Sequence, residues 1–353
     1  MKKTLFSIFA VTLMLTGCGT AKNDTAAPAA TKAPAATKAA EATKAPETKS
    51  SKKIILITPE KIGVNPFFAQ EDEGVKKAGK EFGVDVKTVE STDASAIEQN
   101  LRAAVADNYD LIITSSFESE DALKKVAAEN PKKSFAIIDT VVDLPNVRSV
   151  VFREHEAAYL LGAAAGLATK KNVVGMVAAV DIPLIKKYTV GFQEGLKSTN
   201  PNAKFIVNYV GSFTDPAKAK ELALTQFSQG ADFIAAASAV GDLGVFEAAK
   251  EKGFYTSGQD IDRTVTDPEH IVLSQLKGTD SVAYQTVKDF VNGTFKFGAV
   301  DYGLKEDGVG LTFVTKESKS KLSPFIGQDV VTKVKAIKDD IVAGKVTVPN
   351  PLK

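Results

Sequence analysis

From Ile54 onward, short apolar runs alternate with longer segments in which apolar side chains return every three to four residues. The first cycles read Ile54-Ile55-Leu56-Ile57 then Phe68 to Phe82, Val84-Asp85-Val86 then Ala94 to Asp107, and Leu111-Ile112-Ile113 then Glu120 to Glu129. Phe135-Ala136-Ile137-Ile138 ends at Asp139, and a helix of small residues is predicted over His155 to Thr169. The cycle resumes with Val173 to Val177 and Leu184 to Ser198, then Lys204 to Val210 and Pro216 to Gln229. Phe233 to Ala236, Gly244 to Lys252 and a strand from Tyr255 follow. Uninterrupted apolar runs between helical segments mark parallel strands covered on both faces. Two such series in succession predict two doubly wound α/β lobes. The last third adds strands over Ile271 to Leu276 and Tyr302 to Val314, with helices over Asp280 to Asn292 and Gln328 to Ala343. These are expected to cross back, so that residues 54–155 with about 278–310 form one lobe and about 156–277 with 311–353 the other.

Sheets of this kind bind ligands beyond the carboxyl ends of their strands, so the residues just after each strand are the candidates. After the first strand comes Asn65-Pro66-Phe67-Phe68. Proline suits the first helical turn, and the two rings either face a cleft or pack as core and staple. Asp139 can accept ligand hydrogen bonds or cap a turn. Gly211-Ser212-Phe213 and Gly241-Asp242-Leu243-Gly244 each precede or open a helix, the glycines serving loop conformation or close ligand approach. Asp260 and Lys277 end successive strands, and a carboxylate beside an ammonium suits vicinal hydroxyls or forms a salt bridge. Gly162-Ala163-Ala164-Ala165-Gly166 is read as close packing on a sheet.

The N-terminus has a different character. Met1-Lys2-Lys3 and the apolar run Leu5 to Leu15 predict a signal peptide over residues 1–17, too short to span a bilayer as a mature helix. Leu15-Thr16-Gly17-Cys18 resembles the lipobox of bacterial lipoproteins, which implies lipidation at Cys18. The Ala/Thr/Lys/Pro-rich stretch that follows, to residue 53, lacks large apolar side chains and reads as a tether. With 44 Lys+Arg against 43 Asp+Glu, the 353-residue chain shows no basic excess of the kind that nucleic acid calls for. One Cys and two His leave no intramolecular disulfide and little metal chemistry, so no metal and no cofactor are expected. No Gly-x-Ser-x-Gly elbow is present and His155 and His270 lack an evident nucleophile partner, so an enzyme is not expected.

Phe135 to Asp139, Ser149-Val150-Val151-Phe152-Arg153-Glu154-His155-Glu156, Leu160 to Gly166, Gly191-Phe192-Gln193-Glu194-Gly195, Gly211-Ser212-Phe213 and the Asp260 and Lys277 segments resemble the basic membrane protein family. These are substrate-binding lipoproteins that deliver purine nucleosides to an ABC permease. The resemblance implies a type I periplasmic-binding-protein fold, two doubly wound parallel-sheet lobes joined by hinge strands. It further implies a monomer lipid-anchored on the extracytoplasmic face of the cell membrane. By the same resemblance Phe67 and Phe213 sandwich the base, Asp139 reads base N–H groups, and Asp260 with Lys277 holds the ribose hydroxyls. Gly241 or Gly244 allows close backbone approach. Where the family carries Phe-Asn-Asp…Phe-Asn, this chain has Val64-Asn65-Pro66-Phe67-Phe68. That opening resembles ribose-type sugar-binding proteins, which adds Asn65 and Phe68 to the ligand-binding candidates and makes ribose or a related sugar the alternative ligand, with ligand sensing the alternative role.

Overall fold

A computed structural model describes residues 52–352; Cys18, the signal peptide and nearly all of the tether lie outside the described residues. The first series runs β1 (Lys53–Thr58), α1 (Pro66–Phe82), β2 (Asp85–Glu90), α2 (Ala94–Ala106), β3 (Leu111–Ser115), α3 (Glu120–Glu129), β4 (Ser134–Ile138) and β5 (Val147–Phe152). The second runs α4 (Glu154–Ala168), β6 (Val173–Ala178), α5 (Pro183–Thr199), β7 (Lys204–Tyr209), α6 (Pro216–Ser228), β8 (Phe233–Ala237), α7 (Asp242–Lys252), β9 (Tyr255–Asp260) and β10 (Ile271–Lys277). The chain closes with α8 (Thr279–Val291), β11 (Gly298–Tyr302), β12 (Val309–Leu311) and α9 (Gly327–Val342). Helices α1, α5 and α6 each begin with proline, whose missing N–H costs nothing in the first turn. Asn65 and Asp215 cap α1 and α6 by accepting from the backbone N–H groups of Phe67 and Lys218.

The strands form two six-stranded sheets, ordered β11-β5-β4-β3-β1-β2 and β12-β10-β9-β8-β6-β7. Every pairing is parallel except β10 with β12. The order is the same in both sheets, which confirms the α/β class and the doubly wound pair. The chain passes between the sheets three times, at Arg153, at Gly278 and between β11 and β12. The passages are knitted side by side, Arg153 N–H donating to Tyr302 O at 2.8 Å and Gly278 N–H to Gly308 O at 2.9 Å. Short hydrogen-bonded crossings of this kind let two lobes change angle without losing either core.

Three sequence expectations need correction. The strand expected over Tyr302 to Val314 is β11, a crossing and β12, because Lys305-Glu306-Asp307-Gly308 breaks the apolar run into a turn. Strand β5 was not foreseen as a strand because Arg148 and Ser149 interrupt its apolar pattern. Arg148 is 4% exposed yet paired with Asp289 at 2.7 Å, and Ser149 Oγ bonds both backbone groups of Val142, so the interior accepts them. The Gly162 to Gly166 run packs on a helix, not a sheet: a Cβ on Gly162 would lie 2.0 Å from Phe192 O, and one on Gly195 1.9 Å from Tyr159 O. Helices α4 and α5 therefore touch backbone to backbone.

Four non-glycine residues at or just beyond strand ends hold left-handed backbone: Ser116 after β3, Asp139 after β4, Ala239 after β8 and Asp260 ending β9 (φ 68°, 79°, 56° and 66°). They occupy equivalent places in the two sheets. Each costs roughly 1–3 kcal/mol, and such strain persists only where the surroundings over-determine it. At the β8 turn the lock is Asp242, whose Oδ1 accepts from Ser238 N–H at 2.6 Å and from Ser238 Oγ at 2.8 Å.

Burial pushes Asp242 from 3.8 up to about 7, against the two Ser238 bonds and with the charge of Asp260 adding to the rise. The fold thus favours the protonated acid, and the stability this contributes is full below about pH 4 and lost as pH rises through about 7. Asp242→Asn keeps the Oδ1 acceptor and removes the titration. In urea denaturation its stability relative to the native chain should improve by about 2–4 kcal/mol between acidic and mildly alkaline pH; a parallel pH dependence in both proteins would refute the assignment.

Candidate functional site

The carboxyl ends of the two sheets face one another across a cavity of about 470 Å³, within the range of small-molecule sites. The first sheet's connections bring Asn65, Phe67, Phe68, Ser116, Phe117 and Asp139 to its wall, and the second's bring Tyr188, Phe213, Ala239, Asp260 and Lys277. All four left-handed residues line it. Of the sequence candidates, Asn65, Phe67, Phe68, Asp139, Phe213, Asp260 and Lys277 meet here. Gly241 does not reach the lining. Gly244 serves helix packing, since its Cβ would lie 1.8 Å from Pro216 O, and Gly241 makes room within its own turn, where a Cβ would lie 2.7 Å from Ser238 Oγ.

Phe67 and Phe68 sit in the first turn of α1, edge to face with centroids 5.1 Å apart. Both are at least nine-tenths buried, so they serve core and wall together. Asn65, besides capping α1, donates from Nδ2 to Glu60 Oε1 at 3.1 Å. Opposite, the half-buried Phe213 meets Phe117 at 6.1 Å and 42°, a contact between rings from different sheets.

Two lining residues, Asp139 and Lys277, begin an ion chain that continues behind the cavity wall. Lys277 Nζ lies 2.6 Å from Asp139 Oδ1 and 3.0 Å from Glu154 Oε1, the second contact lacking hydrogen-bond angles. Glu154 Oε2 accepts from Lys187 Nζ at 2.7 Å, and Lys187 also donates to Phe152 O at 2.9 Å. All four side chains are at most 9% exposed. The Lys277 ammonium also stands 5.0 Å from the Phe67 centroid and 4.9 Å from that of Phe152, where ring faces attract a cation.

Two lysines serve Glu154 and one serves Asp139, and this asymmetry sorts the protons. Burial alone would raise Glu154, but Lys277 and Lys187 together bring it down to about 2, so it is ionised. Burial lifts Asp139 to about 7, with Lys277 opposing and Glu154 reinforcing the rise. Burial would lower Lys277, yet Asp139 and the other anions around it hold it well above its ordinary value, so it stays an ammonium. Asp260, 6% exposed, is raised by burial and takes one long hydrogen bond, from Gln259 Nε2 at 3.4 Å. It is the carboxylate with acceptor capacity left for a ligand.

Sequence reasoning missed Glu154, Lys187, Phe117 and Glu71. Glu71 lies on the buried stripe of α1, one turn after Phe67, with neither carboxylate oxygen in a hydrogen bond of good geometry. Burial pushes it well above its ordinary value, the nearby Ser115 hydroxyl opposing, which favours the neutral acid. A charged residue inside an apolar stripe was the available signal for Glu71. Glu154, at the junction of an apolar strand and a small-residue helix, carried a similar one.

The site offers aromatic faces, a fixed ammonium and fixed carboxylates. Among known proteins, a family model described as ABC transporter substrate-binding protein, PnrA-like, matches residues 51–351. The CD4+ T-cell-stimulating antigen of Listeria monocytogenes is 32% identical over 305 residues, 79% of this chain and 82% of that protein. The ABC transporter nucleoside-binding protein BmpA of Lactococcus lactis is 31% identical over 327 residues, 86% of this chain and 90% of that protein. A crystal structure of an ABC transporter solute-binding protein from Aeropyrum pernix superposes with a TM-score of 0.75 at 28% identity, covering 86% of this chain and 94% of that one. The chain therefore belongs to the PnrA-like family of ABC transporter substrate-binding proteins.

Proposed function

We propose that this protein captures a purine nucleoside between its two lobes and presents it to an ABC permease, without catalysis. The observation that carries the reading is the convergence of Asp260 and Lys277 from adjacent strand ends upon a cavity walled by aromatic rings. An acceptor and a donor held by backbone on both sides suit the vicinal hydroxyls of ribose, and Phe67, Phe117 and Phe213 offer faces to a base. The likeness to a protein named as nucleoside-binding supports the same class of ligand. Aromatic contacts of about 0.5–1.5 kcal/mol and charged hydrogen bonds of about 1.5–3 kcal/mol each suffice for micromolar or tighter capture after ordering costs. Phe67 and Phe213 flank the base, Asp139 reads its N–H groups, and Asn65 and Phe68 shape the entrance. Residues 54–155 with about 278–310, and about 156–277 with 311–353, move as the two lobes.

Titration calorimetry with inosine, guanosine, adenosine, cytidine and uridine should give micromolar or tighter binding for at least one purine nucleoside, with free ribose weaker. Asp260→Asn should weaken that binding by roughly 10- to 100-fold, the worth of one charged hydrogen bond. Ribose binding more tightly than every nucleoside would favour a pentose receptor, as Asn65-Pro66-Phe67-Phe68 suggests. No heat with any of them would sink both readings.

The same function needs the protein held at a membrane, and we assign that to Cys18, lipidated after removal of residues 1–17. The tether to residue 53 then lets a monomeric body reach the permease on the extracytoplasmic face. Cys18→Ala should move the protein from the membrane fraction to the soluble one, and unchanged partitioning would contradict the anchor.

A further inference from the structure

The cavity wall carries more negative charge than a neutral nucleoside requires. Its ionisable lining comprises Glu60, Glu118, Asp139 and Asp260 against one cation, Lys277. That ammonium is already shared between Asp139 and Glu154 behind the wall. Glu60 and Glu118 have no ion-pair partner among the described residues. Their hydrogen bonds fix them in place without neutralising them: Asn65 Nδ2 donates to Glu60, and the hydroxyl of the left-handed Ser116 donates to Glu118. The two carboxylates sense one another, since burial first and the Glu60 charge after it raise Glu118. Lys187 and Arg263, further cations that act on Asp139 and Asp260 respectively, do not line the cavity. Any ligand enters this field with Asp260 on the opposite wall holding acceptor capacity but no donor.

Resting on the nucleoside reading, we propose that Glu60 and Glu118 make the site select by charge, accepting neutral nucleosides and rejecting anionic ones. The rejected class includes nucleoside 5′-phosphates and also xanthosine, a purine nucleoside of nearly the size and shape of guanosine whose base is largely an anion at neutral pH. Size and stacking cannot separate guanosine from xanthosine; a fixed negative wall can. One unit charge facing a carboxylate across a few ångströms in a partly desolvated cleft is worth roughly tenfold or more in affinity. That part of the discrimination should fade with added salt at the open mouth.

The test is calorimetry at neutral pH and low salt with guanosine, xanthosine and guanosine 5′-monophosphate, on the native chain, Glu118→Gln, Glu60→Gln and the double variant. In the native chain xanthosine and the monophosphate should each bind roughly tenfold or more weakly than guanosine. The guanosine-to-xanthosine ratio should fall about threefold or more in each single variant and further in the double one. Two single variants guard against one failing to fold, because Glu60 also holds Asn65 while Glu118 sits on a separate loop. Equal affinities for guanosine and xanthosine in the native chain, or a ratio that neither variant moves, would overturn the charge selection and leave the nucleoside reading standing. If inosine or adenosine binds while guanosine does not, the same comparison is read from that nucleoside and its 5′-monophosphate, and no binding of any purine nucleoside would overturn both.

Discussion

The structure depends on keeping one ammonium charged in a place where water cannot serve it. An unpaired buried charge costs several kcal/mol, so Lys277 must be met by anions from every direction it faces. Asp139 comes from the end of β4 in one sheet, Lys277 from the end of β10 in the other, and Glu154 from the chain's first passage between them. Lys187 on α5 completes the set by neutralising Glu154. A single ion chain thus links both sheets at the point where their carboxyl ends oppose. The contact that joins the two sheets also lines the cavity between them.

The backbone is arranged to the same end. The left-handed turns at Ser116 and Ala239, and at Asp139 and Asp260, repeat at equivalent places in two sheets of identical strand order. Each turns a strand end toward the cavity, and the strain is held by neighbours such as the Asp242 bonds to Ser238. The chain joins the two sheets through three short hydrogen-bonded crossings.

Much of this was legible in the chain. Parallel strands buried on both faces announce themselves as apolar runs, and a polar residue ending such a run must be somewhere special, which is how Asp139, Asp260 and Lys277 were found. Strand β5 escaped because the pattern assumes apolar side chains, whereas Arg148 is buried through a partner 141 positions away. Glu154 and Lys187 escaped for the same reason: one finds its partner 33 positions on, a pairing that periodicity cannot signal. Gly241 misled in the opposite sense, since a glycine in a loop looks like room for a ligand when the room is for a neighbouring side chain. Phe117 resembled any exposed aromatic until Phe213 was seen across from it.

The ion chain makes a demand that equilibrium stability can check, through a double-mutant cycle on Asp139 and Lys277. Lys277→Met removes the cation that opposes burial at Asp139, so Asp139 takes up a proton and the ion pair is lost while Glu154 keeps Lys187, and the single variant should lose up to about 3–5 kcal/mol. Adding Asp139→Asn then replaces a side chain that is already neutral, so the double variant should lose at least about 1.5 kcal/mol less than the sum of the two single losses. Additive losses from the two substitutions would contradict the claim that this pair holds the lobes and the site together.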